Sequence, residues 1–449
     1  MKKLSAIILA AVLLFSLAAC SDKEETDITE ATTEVAVETT AASEEETTTE
    51  PVSEPETEEE PEPEDELIFS GSTVADNRYC KILISEISEN SFGTSLTVVA
   101  ENKTSDMNLC FTTKSCCVNG ILIDTVYAET LSAGEKSTST ITFLDDSLKE
   151  NGITKYTNIE IAFRVFDADN LLDNDVALET VRIYPYGESK SESYKREQKE
   201  TDITVFNTAE ASAAVIGYSE NLYSDYSVEF YLENRSADTN YTFSVLKCAV
   251  NGVEVNFLGT FTVPAGKVAF ETLEISDPML EKNGITDFSD IYIDMHVYDA
   301  DAWDADDVTS QSIHVYPDGQ ENAATFKRQP KDTDTVVVDN ESITVIITGL
   351  EKNDLFSSTD LCFYIENKTN ESITFLMNNV LVNSNPLDPL FIVTVSPGHS
   401  KFVNADWYSD ELSENNIEEI TSVEFTLTAS SADDWEKDDY FNDKVIYNP

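Results

Sequence analysis

The stretch Val228-Glu229-Phe230-Tyr231-Leu232-Glu233 decides the fold. Its strongly apolar residues, Val228, Phe230 and Leu232, occupy every second position. Residues two apart lie on the same face of a β-strand, so this spacing predicts a strand with one buried face. Residues 159–163, 291–295 and 361–365 show the same alternation. Because turn residues separate such segments along the chain, the pattern predicts an all-β protein.

These segments belong to an internal repeat with a period of 132 residues. Residues 95–187 align with residues 227–319 without a gap, and the 31 identities among 93 positions indicate a duplication. A third copy is more divergent but keeps anchors such as Glu366-Asn367 in the same frame. About seven strands per copy is typical of a β-sandwich. We therefore predict three tandem immunoglobulin-like β-sandwiches, at residues 67–190 (repeat 1), 200–322 (repeat 2) and 332–449 (repeat 3).

Two local signals support the sandwich. Asn-Gly at 119–120 and at 251–252 lies between strand-like runs, which is typical of a tight hairpin turn. One short helical segment recurs at 145–152, 277–284 and 409–416, each opening on a capping residue and closing on Asn-Gly or Asn-Asn. We expect this helical turn to connect the two sheets of each sandwich.

Several motifs of the repeat resemble those of a known family. They include Glu101-Asn102-Lys103-Thr104, Val118-Asn119-Gly120, Ala133-Gly134-Glu135-Lys136 and Val165-Phe166-Asp167-Ala168-Asp169. In these motifs the chain resembles the telokin-like, immunoglobulin-like domains of unknown function in lipoproteins of Gram-positive bacteria. The resemblance covers about residues 75–449 in three copies. It implies a β-sandwich in an extracellular setting and brings no catalytic residues with it.

The first residues carry an export signal. Lys2 and Lys3 precede an apolar run that is too short to span a bilayer comfortably, and the run ends in Leu17-Ala18-Ala19-Cys20. This ending resembles the lipobox of bacterial lipoproteins, in which the cysteine is acylated and the peptide before it is removed. The alternative is an ordinary secretory peptide. We predict a signal peptide at residues 1–19, lipidation at Cys20, and a cell-membrane protein held by lipid at the extracellular face.

Residues 21–66 are almost entirely Glu, Thr, Ser, Ala and Pro and contain no aromatic residue. Such a segment buries too little apolar area to offset its ordering entropy, so we predict that residues 20–66 form a disordered acidic stalk. A flexible coil of this length spans roughly 40 Å. Its expected task is to hold the β-sandwiches away from the membrane.

Charge limits the possible partners. The net charge is −58, and residues 21–66 account for −19 of it. Nucleic acid is excluded as a partner because a polyanion requires clusters of Lys and Arg on the protein. Cations such as Ca²⁺ and basic or neutral partners are favoured. The sequence therefore predicts an unknown extracellular protein or glycan as the partner, with the membrane contacted through the lipid anchor.

Acidic loops near the end of the first two repeats are the strongest metal candidates. Clustered carboxylates supply the oxygen ligands that Ca²⁺ prefers, although the spacing is not that of an EF-hand. The alternative is that these side chains cap backbone N–H groups of a solvated hairpin. The candidate ligands are Asp167, Asp169, Asp173, Asp175, Asp299, Asp301, Asp306 and Asp307. With calcium bound, the chain would be a calcium-stabilised adhesion rod; otherwise no cofactor is expected.

Two tryptophans near these loops, Trp303 and Trp435, are predicted either to stack on a carbohydrate or to cover a sandwich edge.

The linkers between the repeats carry clusters of basic residues that have two interpretations. Lys195, Arg196 and Lys199 recur as residues 327, 328 and 331, and they serve either as an electrostatic splint or as an exposed hinge.

Nothing in the chain predicts catalysis. The three histidines, His296, His314 and His399, occupy different repeat positions, and no glycine-rich phosphate loop is present. We expect His296 and His314 on the surface. The cysteines are expected to be mainly structural, with a disulfide possible among Cys80, Cys110 and Cys117. We predict a non-enzymatic binding or scaffold protein.

Overall fold

The computed structural model describes residues 66–90, 93–143, 145–170, 175–219, 226–302, 304–434 and 436–449. The predicted signal peptide, Cys20 and nearly all of the predicted stalk lie outside the described residues. The described part is all-β, with short helical turns between strands, which confirms the predicted fold class. It belongs to one compact unit.

Repeat 1 forms two antiparallel sheets. One has the strand order β1-β2-β3-β7, and the other has the order β5-β4-β8-β9 with β6 also paired to β4. The elements are β1 (Ser72–Asp76), β2 (Cys80–Asn90), β3 (Gly93–Asn102), β4 (Leu109–Val118), β5 (Ile121–Ile123), β6 (Ala128–Leu131), β7 (Lys136–Thr142), α1 (Asp145–Glu150), β8 (Ile159–Asp167) and β9 (Ala177–Ile183), followed by a 3-10 turn at Glu188–Lys190.

Repeat 2 has the same plan. Its sheets have the orders β10-β11-β12-β17, with β15 beside β17, and β14-β13-β18-β19, with β16 beside β13. The elements are β10 (Ile203–Asn207), β11 (Ala211–Ser219), β12 (Tyr226–Asn234), β13 (Tyr241–Val250), β14 (Val253–Glu254), β15 (Phe257–Leu258), β16 (Thr260–Val263), β17 (Val268–Ile275), α2 (Pro278–Lys282), β18 (Ile291–Asp299) and β19 (Thr309–Val315), followed by a 3-10 turn at Gln320–Asn322.

Repeat 3 completes the series with sheets of order β20-β21-β22-β26 and β24-β23-β27-β28, in which β25 also pairs with β23. Its elements are β20 (Thr335–Asp339), β21 (Ile343–Asn353), β22 (Ser358–Asn367), β23 (Ile373–Val382), β24 (Asn385–Pro386), β25 (Ile392–Val395), β26 (Ser400–Tyr408), α3 (Ser409–Glu414), β27 (Val423–Ser431) and β28 (Phe441–Tyr447). Strand counts in the described residues exceed the predicted seven per repeat because several segments are only two to four residues long.

The short helices connect the two sheets, as predicted. Each follows the last strand of the first sheet and precedes a central strand of the second. Asp277 caps α2 by accepting a hydrogen bond from the Met279 N–H at 2.9 Å, and Gly284 ends the turn with a φ of 76°. Asp145 and Ser409 differ from the prediction, because each is the first residue of its helix; in α3, Tyr408 occupies the cap position without a side-chain bond.

The hairpin prediction is also confirmed. Asn119 and Gly120 have φ values of 49° and 88°, and Asn251 and Gly252 have values of 51° and 82°. Left-handed backbone at both central positions gives the tight turn whose twist matches that of the flanking strands.

Alternation buries one face of each strand. Val228, Phe230 and Leu232 are fully buried, while Glu229 and Tyr231 are partly exposed. Buried residues form three clusters, centred on repeats 1, 2 and 3. Each fully buried Leu, Ile or Phe contributes about 1.5–3 kcal/mol, so these clusters supply most of the stability. The boundaries of the three predicted domains stay a prediction.

The sheets of neighbouring repeats are continuous. Val268 of β17 pairs in parallel with Ile121 of β5, which joins a sheet of repeat 2 to one of repeat 1. Strand β26 pairs in the same way with β14, which joins repeat 3 to repeat 2. The spacing of the repeat does not predict this continuity.

Candidate functional site

The linker between repeats 1 and 2 is folded around a buried ion pair. Arg196 contacts Asp202 through Nη1–Oδ2 at 2.5 Å and Nη2–Oδ1 at 2.8 Å, and the two side chains are 10% and 0% exposed. The Lys199 N–H donates to the same carboxylate at 2.8 Å. Together these bonds hold the pKa of Asp202 below its ordinary value, with the Arg196 bond as the main cause. The linker is therefore a closed loop.

The second linker repeats this loop. Arg328 contacts Asp334 through two bonds of 2.6 Å, both side chains are 7% exposed, and the Lys331 N–H donates to the carboxylate at 2.7 Å. Each guanidinium also faces an aromatic ring of the following repeat, Tyr231 at 5.5 Å and Tyr364 at 5.7 Å. Arginine thus connects each linker to an inner strand of the following repeat, β12 in repeat 2 and β22 in repeat 3.

These contacts favour the splint over the hinge. The carboxylate partner belongs to the linker itself and not to the acidic domains on either side. Only one cation of each cluster is buried. The side chains of Lys195, Lys199, Lys327 and Lys331 are exposed.

Backbone hydrogen bonds join the repeats at matched positions. The Val268 N–H donates to the Gly120 carbonyl at 3.0 Å, and the Ser400 N–H donates to the Gly252 carbonyl at 2.9 Å. Both acceptors lie in the Asn-Gly turns, where glycine allows the positive φ that the turn requires. The Asn-Gly motif therefore forms a hairpin and also joins one repeat to the next.

Aromatic side chains pack at both junctions. Phe270 lies 5.9 Å from Tyr194 and 5.5 Å from Tyr231, measured between ring centroids. At the second junction, Phe402 lies 5.9 Å from Phe326 and 5.2 Å from Tyr364. Such pairs contribute about 0.5–1.5 kcal/mol each beyond area burial. The two junctions are built from equivalent residues.

One contact pair differs between the two junctions. Lys267 contacts Glu160 across the first junction, with Nζ–Oε2 at 3.2 Å and both side chains mostly buried. At the second junction the equivalent residues are His399 and Tyr292, whose rings lie 4.9 Å apart. Burial lowers the pKa of His399, which favours a neutral ring.

The asparagines of the repeated Glu-Asn motif are structural. Asn234 is buried, donates to the carbonyls of Thr239 and Val263 at 2.9 and 2.8 Å, and accepts from the Ser236 N–H. Asn102 and Asn367 make the equivalent bonds in repeats 1 and 3. The motif therefore closes a turn in each sandwich.

In the first acidic loop the described carboxylates have separate partners. Asp167 accepts from the Asp169 N–H at 3.0 Å, and Asp169 accepts from Asn108 Nδ2 at 2.9 Å. Asp175 forms an ion pair with Arg164, with Nε–Oδ1 at 2.7 Å. Asp173 lies outside the described residues. This loop matches the capping alternative at Asp167.

The second loop repeats the arrangement. Asp299 accepts from the Asp301 N–H at 2.9 Å, and Asp307 contacts His296 with Nδ1–Oδ2 at 2.7 Å. Because His296 takes the position of Arg164, its ring is partly buried against this acid rather than fully exposed. Asp306 lies in the same loop and is exposed.

No group of three or more His, Cys, Asp or Glu placed to hold a metal ion occurs among the described residues. Calcium binding by the acidic loops stays a prediction. Trp303 and Trp435 lie outside the described residues, so their role in ligand stacking also stays a prediction.

The cysteines are unpaired wherever they are described, including Cys80, Cys110 and Cys117. Burial raises the pKa of the Cys80 thiol to about 11 and of the Cys117 thiol to about 12. A thiol with a raised pKa is a poor nucleophile at neutral pH.

Comparisons with known proteins add little. No family model and no curated protein matches this chain. A matching solved structure is that of the Salmonella enterica SafA pilin in complex with the SafB chaperone, at 12% identity and a TM-score of 0.18, covering 54% of this chain and 100% of that chain. With so low a TM-score, the fold assignment rests on the strand pairing of this chain itself.

Among the described residues, no helix has the length and apolar character needed to cross a membrane.

Proposed function

We propose that this chain is a lipid-anchored protein on the outer face of the cell membrane, and that its immunoglobulin-like repeats bind an extracellular protein or glycan without catalysis. The observation that carries the proposal is the matched construction of the two junctions. The same backbone bond, the same buried Arg–Asp pair and the same aromatic packing occur at both. An array joined in this way presents its loops at constant spacing.

Constant spacing matters for binding. A ligand that contacts more than one repeat gains effective concentration from the first contact, and the gain is greatest when the sites are already held at the right separation. Rigid joints also reduce the entropy lost on binding. The buried linker pairs supply this rigidity, since an exposed linker of the same length would let the repeats move independently.

The proposed lipid anchor and stalk are supported by the amino-acid sequence. The lipobox-like ending at Cys20 supports attachment by two acyl chains, because one chain holds a protein to a membrane only weakly. The acidic residues after it support an extended spacer. Under this proposal the stalk sets the distance of the array from the membrane.

A non-catalytic role agrees with the state of the reactive side chains. His296 and His314 each contact an aspartate, and His399 packs on Tyr292. In the described part of the chain, no histidine hydrogen-bonds a serine or cysteine side chain. The buried thiols are held protonated by their raised pKa values.

The charge supports a basic or neutral partner. Residues 67–449 keep a net charge of −41 once the stalk and the two N-terminal lysines are set aside. A surface of this sign repels anionic polymers and attracts cationic ones over a distance of about one Debye length, roughly 8 Å at physiological salt.

The test is a binding screen of residues 21–449 against immobilised glycans and extracellular proteins, with wild type compared to an Arg196→Ala, Arg328→Ala double variant. We expect a ligand that is bound but not chemically changed, with lower affinity for the variant. The control is Lys195→Ala with Lys327→Ala, which alters exposed neighbours of the same arginines. Turnover of the ligand would contradict the non-enzymatic role, and equal affinity of both variants would contradict a spaced array.

A further inference from the structure

Glu271 of β17 is a carboxylate on the core-facing side of its strand. It stands directly opposite Phe230, and the other inward residues of β17, Ala269, Leu273 and Ile275, are fully buried. An alternating strand would place an apolar side chain here. In the described part of the chain, the carboxylate of Glu271 has no hydrogen-bond or ion-pair partner.

The side chain faces repeat 1. Glu271 and Thr260 of repeat 2 line a cleft of about 290 Å³ together with Asp124 and Lys114 of repeat 1. The cleft lies beside the parallel pair that joins β17 to β5. Two acids from different repeats therefore meet at the first junction.

We propose that the first junction is a pH-responsive joint, closed when Glu271 is protonated and loosened when its negative charge develops opposite Asp124. The proposal concerns the joint itself and does not depend on the identity of any ligand.

The electrostatic setting supports this. Burial raises the pKa of Glu271 to about 7, and the charge of Asp124 adds to the increase. The other titratable groups lining the cleft are Lys114 and the thiol of Cys116, both on β4. Lys114 forms no ion pair within the described residues, so it does not neutralise Glu271 directly.

The direction of the pH dependence follows from the linkage between proton binding and closure of the joint. A carboxyl whose pKa is higher in the closed joint than in the open one binds its proton more tightly when closed. With pKa values of 4.5 in the open joint and about 7 in the closed joint, the advantage of the closed form is complete below pH 4.5, falls as the pH rises, and is lost by the time the pH has passed about 7. The second junction lacks this pair of acids. In repeat 3, Val403 stands at the position of Glu271, opposite Phe363. Asn256 takes the place of Asp124.

The experiment measures amide hydrogen exchange in the full-length protein between pH 6.0 and 8.5, corrected for the intrinsic rate. The reporter is the Val268 N–H, which bonds across the first junction, and the internal control is the Ser400 N–H, which bonds across the second. We take the pKa of Glu271 as 4.5 in the open joint and about 7 in the closed joint. Over this pH range we then expect the protection factor of the Val268 N–H to fall about tenfold, while that of the Ser400 N–H stays nearly constant.

Glu271→Gln should abolish the pH dependence at Val268, whereas Glu274→Gln, on the other face of the same strand, should preserve it. Glu271→Val copies repeat 3 and gives a second variant if the glutamine form folds poorly. An unchanged slope in both Glu271 variants would overturn the proposal. An equal slope at β18 amides in the core of repeat 2 would also overturn it, because Glu271 would then control the stability of that repeat and not the joint.

Discussion

Arg196 and Asp202 form a two-point ion pair inside the first linker, and Arg328 and Asp334 form the same pair in the second. In each pair the residues lie six positions apart, so the chain between them is closed into a loop. Because the guanidinium also faces a tyrosine of the next repeat, the loop is held against that repeat. The pair therefore fixes the shape of each linker locally, in addition to the strand pairing that joins the repeats.

Removing one residue of the Arg196–Asp202 pair should show how much the pair stabilises the first junction. Arg196→Ala leaves the buried Asp202 carboxylate without its cation, and breaking a buried pair in this way costs about 3 kcal/mol. We expect a lower denaturant midpoint for the unfolding transition that includes repeats 1 and 2. Arg196→Lys should restore little, because lysine lacks the two-point geometry. Lys195→Ala is the matched control, and a loss of equal size there would show that linker charge, not the pair, is responsible.

The same pairs predict an acid dependence. The pKa values of Asp202 and Asp334 are lowered, mainly by their arginines, so the folded state binds these protons less tightly than the unfolded state. Their stabilisation is complete above the unfolded pKa near 3.8 and is lost as the pH falls through the lower folded values. Urea unfolding between pH 2 and 5 should show this loss in wild type. An Asp202→Asn, Asp334→Asn variant should show a smaller pH dependence over the same range.

The buried motif asparagines offer a sharper test of the sandwich. Asn234→Asp should destabilise repeat 2 by about 2–3 kcal/mol, because a carboxylate cannot donate to the carbonyls of Thr239 and Val263 and is itself buried. The measurement is thermal unfolding followed by circular dichroism. Asn240→Asp, in the adjacent loop, is the control, and a similar loss there would argue against a specific role for the Glu-Asn motif.

Calcium binding can be decided at Asp299. If this residue caps the backbone, Asp299→Ala should cost about 1 kcal/mol whether or not calcium is present. If it is a calcium ligand, millimolar Ca²⁺ should raise the melting temperature of wild type, and the variant should lose that increase. From the 2.9 Å bond to the Asp301 N–H, we expect the first result. A calcium-dependent increase of several degrees in wild type alone would establish the ion site instead.

Membrane attachment is tested at Cys20. Cys20→Ala removes the thiol that lipidation requires, so we expect release of the protein from the membrane fraction or accumulation of an unprocessed precursor. Fractionation with a mass measurement of the N-terminus distinguishes the two. Retention in the membrane with normal processing would contradict the lipid anchor.

Several features could be predicted from sequence because they depend on neighbours along the chain. Alternation at 228–233 identified a strand, and the Asn-Gly pairs identified hairpins, since their positive φ values are local requirements. The helical crossovers were located within two residues of their observed limits. The predicted caps of α1 and α3 are wrong, because Asp145 and Ser409, both common capping residue types, lie inside their helices.

The first acidic loop shows where local reasoning stops. Sequence spacing allowed Asp167, Asp169 and Asp175 to converge, yet each has a different partner in the fold. Those partners include Asn108, 61 residues away from Asp169. Spacing shows which carboxylates can meet, and the positions of distant strands show which ones do.

The sequence by itself determined the all-β class, the internal repeat and the turns, because periodicity and backbone preference act over a few residues. Only the tertiary structure decided that the sheets run from one repeat into the next. That continuity depends on Val268 reaching the Gly120 carbonyl across 148 positions. It likewise decided that Glu271 faces Asp124 in a cleft, since the pKa of a carboxyl depends on which groups surround it in space.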